Sequence, residues 1–257
     1  MTEQEIWDIA RRQSAVDCGC EPEDFTRGEN VIVLSRPHPD ARKYLDLPLP
    51  CDLVSYGGSV VASLIPELRD ITEKYLSRVP PEHCFETPNL WLLADALAPL
   101  GYKPCFMAEY FLPRLPLPVC PSPLPLRLLR PEDFADLYLP EWSNALCEAR
   151  RELDVLAVGA YDGDTLVAMA GCSADCEDMY QIGVDVLPAY RRRGLASAVT
   201  SALAAEILAL GKAPFYCAAW SNVPSVRNAL RSGFVPGWVE LTVKKADFVD
   251  SMNGGPL

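Results

Sequence analysis

Val186-Leu187-Pro188-Ala189-Tyr190-Arg191-Arg192-Arg193-Gly194-Leu195-Ala196-Ser197 is the stretch that decides the fold. An apolar strand ends at a proline turn, and a basic loop runs straight into a helix whose first turn reads Gly-x-Ala. The unpaired N–H groups of a helix start, together with the helix dipole, make an anion site. Glycine at 194 lets backbone approach a phosphate closely, and a small residue at 196 avoids crowding it. Three arginines add positive charge. The expectation is a diphosphate ligand held by residues 191–197.

Working outward, the flanking segments alternate in type. Met179–Val186 reads as a strand leading into the loop, and a helix from about Gly194 to Leu210 carries Val199, Leu203, Ile207 and Leu210 at helical spacing before Gly211 stops it. Upstream, Val155–Tyr161 and Thr165–Ala170 are strands joined at Asp162-Gly163-Asp164, a hairpin signal. Leu126–Leu129 is a short strand, and Pro131-Glu132-Asp133-Phe134 opens a helix. Downstream, Phe215–Trp220 is strand-like. Asn222–Arg231 is a helix capped by Ser221 or Asn222, and Phe234–Val235 and Val239–Val243 close as strands. The order β-α-α-β-β-β-α-β-α-β-β is that of a mixed α/β sheet.

Arg191-x-x-Gly194-x-Ala196 after a Val-x-Pro turn, followed by Asn222-x-x-Ser225 and Gly233-Phe234, resembles the GCN5-related N-acetyltransferase (GNAT) superfamily. The resemblance covers roughly residues 125–245. It implies a GNAT acyl-CoA N-acyltransferase fold, acetyl-CoA as cofactor, and transfer of an acetyl group to an amine of a small molecule or peptide by direct attack. The implied cofactor contacts are Arg191, Arg192, Arg193, Gly194, Leu195, Ala196 and Ser197 at the pyrophosphate, Asn222 and Ser225 at the pantetheine arm, and a backbone N–H of Val184 or Val186 polarising the thioester carbonyl. Asn222 and Ser225 are also ordinary capping residues.

The chemistry is thinner. Many GNAT relatives place a tyrosine acid four residues before the Gly-Phe pair; here that position is Ala229. Six residues before Val186, where some relatives carry a glutamate base, stands Tyr180, the candidate catalytic residue. A tyrosine with pKa near ~10 is a poor base at neutral pH, so an acid, an acceptor-orienting or a wall role is open to it. Asp185 points to the opposite face of the same strand. An alternative to catalysis is an acyl-CoA-binding regulatory protein without turnover.

Further out, Pro113–Pro125 holds prolines at 113, 116, 118, 121, 123 and 125, which excludes a helix or central strand and reads as an extended connector. It divides the chain into 1–120 and 121–257. In the first part, Cys51–Gly58 precedes a helix expected from about Val60 to Leu76. A second helix over Asn89–Leu100 ends at Gly101-Tyr102, with a strand over Cys105–Phe111. Superposing Gly101-Tyr102 on Gly233-Phe234 gives an offset of 132 residues and the reading of a degenerate GNAT-like unit, or an unrelated α/β cap, in the first part. The cofactor motif does not repeat there.

Composition sets the outer limits. The formal net charge of −12 disfavours nucleic acid and anionic lipid and suits a cationic amine. Aminoacyl transfer from tRNA, known for tandem GNAT-like proteins, ranks last for that reason. No apolar run reaches a membrane span, and Met1-Thr2-Glu3-Gln4-Glu5 is acidic where a signal peptide is basic, which reads as cytoplasmic. The ten cysteines contain no CxxC pair and the two histidines no zinc spacing, so the reading is reduced core thiols and no metal. Monomer and homodimer remain equally open.

Overall fold

The computed structural model describes residues 1–254. In chain order it forms α1 (Glu3–Cys18), β1 (Val31–Leu34), β2 (Cys51–Ser55), β3 (Val61–Leu64), α2 (Arg69–Arg78), α3 (Thr87–Leu97), β4 (Tyr102–Pro113), β5 (Leu126–Leu129), β6 (Asp154–Asp162), β7 (Thr165–Ser173), β8 (Met179–Val186), α4 (Leu195–Ala209), β9 (Ala213–Ala218), α5 (Val223–Arg231), β10 (Phe234–Lys245) and α6 (Ala246–Met252). The chain divides into two compact units. One comprises residues 1–10 and 110–236, the other residues 11–109 and 237–257.

In the first unit the strands run in the order β4-β9-β8-β7-β6-β5. β5/β6, β6/β7 and β7/β8 are antiparallel, and β8/β9 is parallel. β6 and β7 turn through Gly163-Asp164, with Gly163 at φ +60° as a primed hairpin turn requires. The even-numbered residues Leu156, Val158, Ala160, Ala168, Ala170 and Ile182 face one side, where Leu195, Val199, Leu203 and Ile207 of α4 cover them. The opposite face, with Ala157 and Met169, packs against Phe134, Trp142, Ala145 and Leu146. That second layer differs from the expectation of helices after Pro131. Residues 131–153 form only short 3-10 turns at Pro131–Asp133, Pro140–Trp142 and Glu148–Leu153. Prolines open the first two, and Arg150 leaves helical geometry inside the third, so no turn propagates.

The proline-rich segment 114–125 carries no helix or strand. It lies within the first unit rather than between the two. Arg114 N–H donates to the Gly233 carbonyl at 2.8 Å, the Ser201 hydroxyl donates to the Pro118 carbonyl, and Leu117 and Leu124 pack on the α4 core. The units are therefore bounded near 109/110 and 236/237, with the first ten residues joining the C-terminal part, where the sequence suggested a division at 120.

In the second unit the order is β1-β3-β2-β10-β4. One face of this sheet, with Cys51, Leu53, Ala62, Leu64, Leu241 and Val243, is covered by Leu68, Tyr75 and Leu76 around α2 and by Leu93 and Leu97 of α3. The helix expected over Val60–Leu76 is in fact strand β3, a turn at Pro66–Leu68, and α2. Val61–Leu64 is buried throughout and pairs with strands on both edges, a setting that favours β-branched residues, and Pro66 interrupts helix propagation upstream. The offset of 132 maps β4 onto β10 at both ends, Tyr102 to Phe234 and Pro113 to Lys245. Each follows a left-handed glycine, Gly101 at φ +78° and Gly233 at φ +89°.

Candidate functional site

The parallel pairing of β8 with β9 covers only Met179↔Ala213 to Ile182↔Tyr216, so β8 runs on through Val186 with no β9 partner. The register tells which backbone groups this leaves open. Leu187 N–H donates to the Val167 carbonyl, so odd-numbered residues of β8 address β7 and even-numbered ones address β9. Ala213 N–H donating to the Asp178 carbonyl agrees with that alternation. The backbone groups of Val184 and Val186 therefore open toward the gap where β9 has parted. The Val186 carbonyl is occupied: Arg191 Nε donates to it at 3.1 Å.

The gap leads directly to the loop. Gly194 caps α4 in the left-handed region, φ +84°, and Arg192 is the sole non-glycine at positive φ among the described residues, φ +61°. The first helical bond is Ala198 N–H to the Gly194 carbonyl, and among the described residues no acceptor meets the amides of 192–197. A Cβ built on Gly194 would meet nothing within 4 Å, so space stands open over the helix end. Free amides, an open mouth and the positive end of a fifteen-residue helix fit a diphosphate. Arg191, Arg192 and Arg193 are exposed, and Ser197 and Ala196 are half-buried at the rim. Leu195 instead points into the core at 1% exposure, so only its N–H serves the mouth. Arg193 stacks over the Tyr190 ring at 5.3 Å, and the Tyr190 hydroxyl donates to Asp162 at 2.8 Å.

Asn222 and Ser225 sit at the start of α5. The Asn222 Oδ1 accepts from Ser225 N–H at 3.3 Å as an N-cap, and the Ser225 hydroxyl is 2.7 Å from the Tyr216 hydroxyl. Tyr216 stands where the β8/β9 pairing ends, beside Phe111 and Phe234. Burial raises its pKa. Ala229 is wholly buried, so no hydroxyl replaces the missing tyrosine at that position. Tyr180 is half-buried, its ring packed on the α4 cluster.

The sequence reading missed the opposite wall. Gly171 and Gly183 are register partners, and a Cβ on either would lie 2.0 Å from the Ala145 oxygen or 1.7 Å from the Asn144 oxygen. The Asn144–Ala145 backbone is seated on these two glycines. Asp185 ties it down, accepting from Asn144 N–H at 2.8 Å, Asn144 Nδ2 at 2.6 Å and Ala145 N–H at 3.0 Å. Asp185 is thus a clamp beside the Val184 peptide. Two glycines in the middle of strands were the signal that could have found it.

Asp154 carries a carboxyl displaced upward to about 6, chiefly by burial, against the partial relief of the Cys147 N–H at 2.9 Å. It begins β6, opposite Ser173, far along the sheet from the loop. Its folded pKa exceeds the unfolded value of ~3.9, so the native state holds more protons between the two. Its contribution to stability is full below about pH 4 and is lost as pH rises through about 6. Denaturant titrations from pH 4 to pH 7 are expected to show that fall in wild type and a flatter profile in Asp154→Asn.

Residues 157–236 match the model of the FR47-like protein family, which is GNAT-related and spans β7, β8, the loop, α4 and α5. No curated protein matches the chain. Among solved structures, a GNAT-family protein from Novosphingobium aromaticivorans is 22% identical, with TM-score 0.42, over 56% of this chain and 66% of its own. A GNAT-family acetyltransferase from Colwellia psychrerythraea is 14% identical, with TM-score 0.45, over 95% and 98%. A GCN5-related N-acetyltransferase from Sphaerobacter thermophilus is 15% identical, with TM-score 0.46, over 94% and 93%. This chain therefore spans just under two thirds of the first and nearly all of the other two.

Proposed function

We propose that the first unit binds acetyl-CoA and transfers its acetyl group to an amine of a small molecule or peptide. The observation that carries this is a pair of neighbouring groups of unpaired backbone donors, the open edge of β8 at Val184 and Val186 and the amides of 192–197. The cofactor supplies an activated thioester carbonyl. Arg191–Ser197 hold the diphosphate, and Asn222 and Ser225 face the connecting arm. The Val184 N–H stabilises the charge that develops on the carbonyl oxygen as the amine nitrogen bonds to the carbon and the C–S bond breaks. CoA leaves as the thiolate, the proton lost by nitrogen goes to solvent, and Tyr180 orients the acceptor. The reaction is direct, with no covalent enzyme intermediate, because no cysteine in the unit has a histidine partner: both histidines of the chain lie outside it.

The buried Ala229 favours a second reading, an acyl-CoA-binding regulator without turnover. Thiol release from acetyl-CoA across a broad panel of amines separates the two. Acceptor-dependent release over many turnovers supports the transferase. Calorimetric binding with no release from any amine supports the regulator, and absence of binding sinks both.

A further inference from the structure

Beneath α1 the second unit has a polar interior where its other sheet face has an apolar core. Register places Asp52 opposite Thr242 and Ser63, and Val54 opposite Glu240, so Asp52 and Glu240 share that face. Asp17 enters from α1. These three carboxyl groups are each 4% exposed. They surround Arg42, itself 3% exposed, and a second cation, Lys244, lies on the same face of β10 close enough to act on Asp52.

Arg42 comes from residues 35–50, which carry no helix or strand between β1 and β2. Its N–H donates to Asp17 Oδ1 at 2.8 Å, Nε to Asp17 Oδ2, Nη1 to the Tyr44 hydroxyl, and Nη2 to Glu240 Oε2 at 3.4 Å. Its guanidinium lies 5.4 Å from the Tyr44 ring and 5.9 Å from the Trp238 ring, and Tyr56 stacks on Trp238 at 5.5 Å. Aromatic faces flanking a planar cation between carboxylates are what guanidinium recognition uses. One carboxylate oxygen of the set is left over. Asp52 Oδ1 is buried with no hydrogen-bond partner among the described residues, and Glu240 is approached at 3.4 Å by Arg42 and at 3.5 Å by Trp238 Nε1.

We infer that this buried carboxylate cluster is a binding site for a guanidinium-bearing small molecule, with Arg42 as its built-in occupant and residues 36–48 as the flap that Arg42 latches. An incoming guanidinium takes over Asp17 and Glu240 and, seated deeper than the tethered side chain, gives Asp52 Oδ1 the donor it lacks. Burial and the neighbouring Glu240 push the Asp52 carboxyl well above the usual range, a cost that an added cation relieves. Besides Arg42, the flap is tied to α1 through the Asp40 carbonyl, which accepts from Gln13 Nε2 at 3.0 Å. Loops of this length without secondary structure are commonly binding loops or lids.

The test uses the full chain with agmatine as probe, against salt-matched controls. In wild type, agmatine is expected to raise hydrogen exchange of the amides of residues 38–46 while the β2 and β3 amides stay protected. Arg42→Ala is expected to bind agmatine about tenfold more tightly, because no tethered occupant competes. Asp52→Asn is expected to weaken binding by a similar factor. If Arg42→Ala does not fold, Arg42→Gln keeps the bulk without the charge and serves instead. Unchanged exchange over 38–46 in wild type, even where the Arg42 variant binds the probe, would show that Arg42 is a fixed structural ion pair and would overturn the inference.

Discussion

Gly194→Glu is expected to lower acetyl-CoA affinity by at least about 100-fold, or about 2.7 kcal/mol, while leaving the circular dichroism of the protein unchanged. Two costs arise. The left-handed φ of +84° penalises any Cβ by about 1–2 kcal/mol of folding stability, while the loss of affinity comes from the new carboxylate, which stands at the mouth formed by the amides of 192–197. Because a Cβ there touches nothing within 4 Å, no clash forces the unit to rearrange. Gly194→Ala separates the costs, since it carries the backbone strain without the charge. Calorimetric titration of the three proteins with acetyl-CoA and CoA is the measurement. If Gly194→Glu bound as wild type does, the diphosphate would lie elsewhere and the proposed site would fail.

The second large effect lies across the strand. Gly183→Ala is expected to destabilise the protein by about 3 kcal/mol, because an added methyl meets backbone rather than a flexible side-chain tip. The Asn144 oxygen would lie 1.7 Å away and its carbonyl carbon 2.7 Å away, so the 144–145 segment must lift from the sheet. For a protein of this size that corresponds to a fall of about 6–12 °C in thermal midpoint. Gly171→Ala acts on the same segment through the Ala145 oxygen at 2.0 Å, so the double variant should cost less than the sum of the two. Thermal and urea denaturation of the four proteins test this. Full additivity would mean that the two glycines do not seat one shared segment. Since the segment lies against the Val184 peptide through Asp185, a loss of acceptor-dependent turnover beyond the loss of folded protein is also expected.

Much of this was legible in the amino-acid order. Strand β8 was read to the residue, α4 and α5 to within a residue or two, and the left-handed Gly194 at the start of α4 from its motif, because a strand–loop–helix connection uses local rules: a proline turn, a left-handed glycine, a capping asparagine. Hydrophobic alternation likewise placed β6 and β7 and the side-chain faces of β8, including the orientation of Asp185 away from Tyr180. What failed were segments whose state depends on distant neighbours. Val60–Leu64 has an apolar run that helix and strand both accept, and only pairing with β1 and β2 decides for the strand. Residues 131–153 look helical from Pro131 onward, yet their turns are set by packing on Ala157 and Met169.

By itself, then, the sequence determined the mixed α/β class, the loop-to-helix turn at 191–197 and the family resemblance, since each rests on contacts within a few residues. Tertiary structure decided the rest. It parted β9 from β8 after Ile182 and so exposed the Val184 and Val186 backbone, drew the proline-rich segment onto α4, seated Asn144–Ala145 on Gly171 and Gly183, and gathered Asp17, Asp52 and Glu240 around Arg42. The physical reason is the same in each case. These features depend on register and packing between residues tens to nearly two hundred positions apart, and no local periodicity encodes where a strand partner stops or which carboxylates share a sheet face.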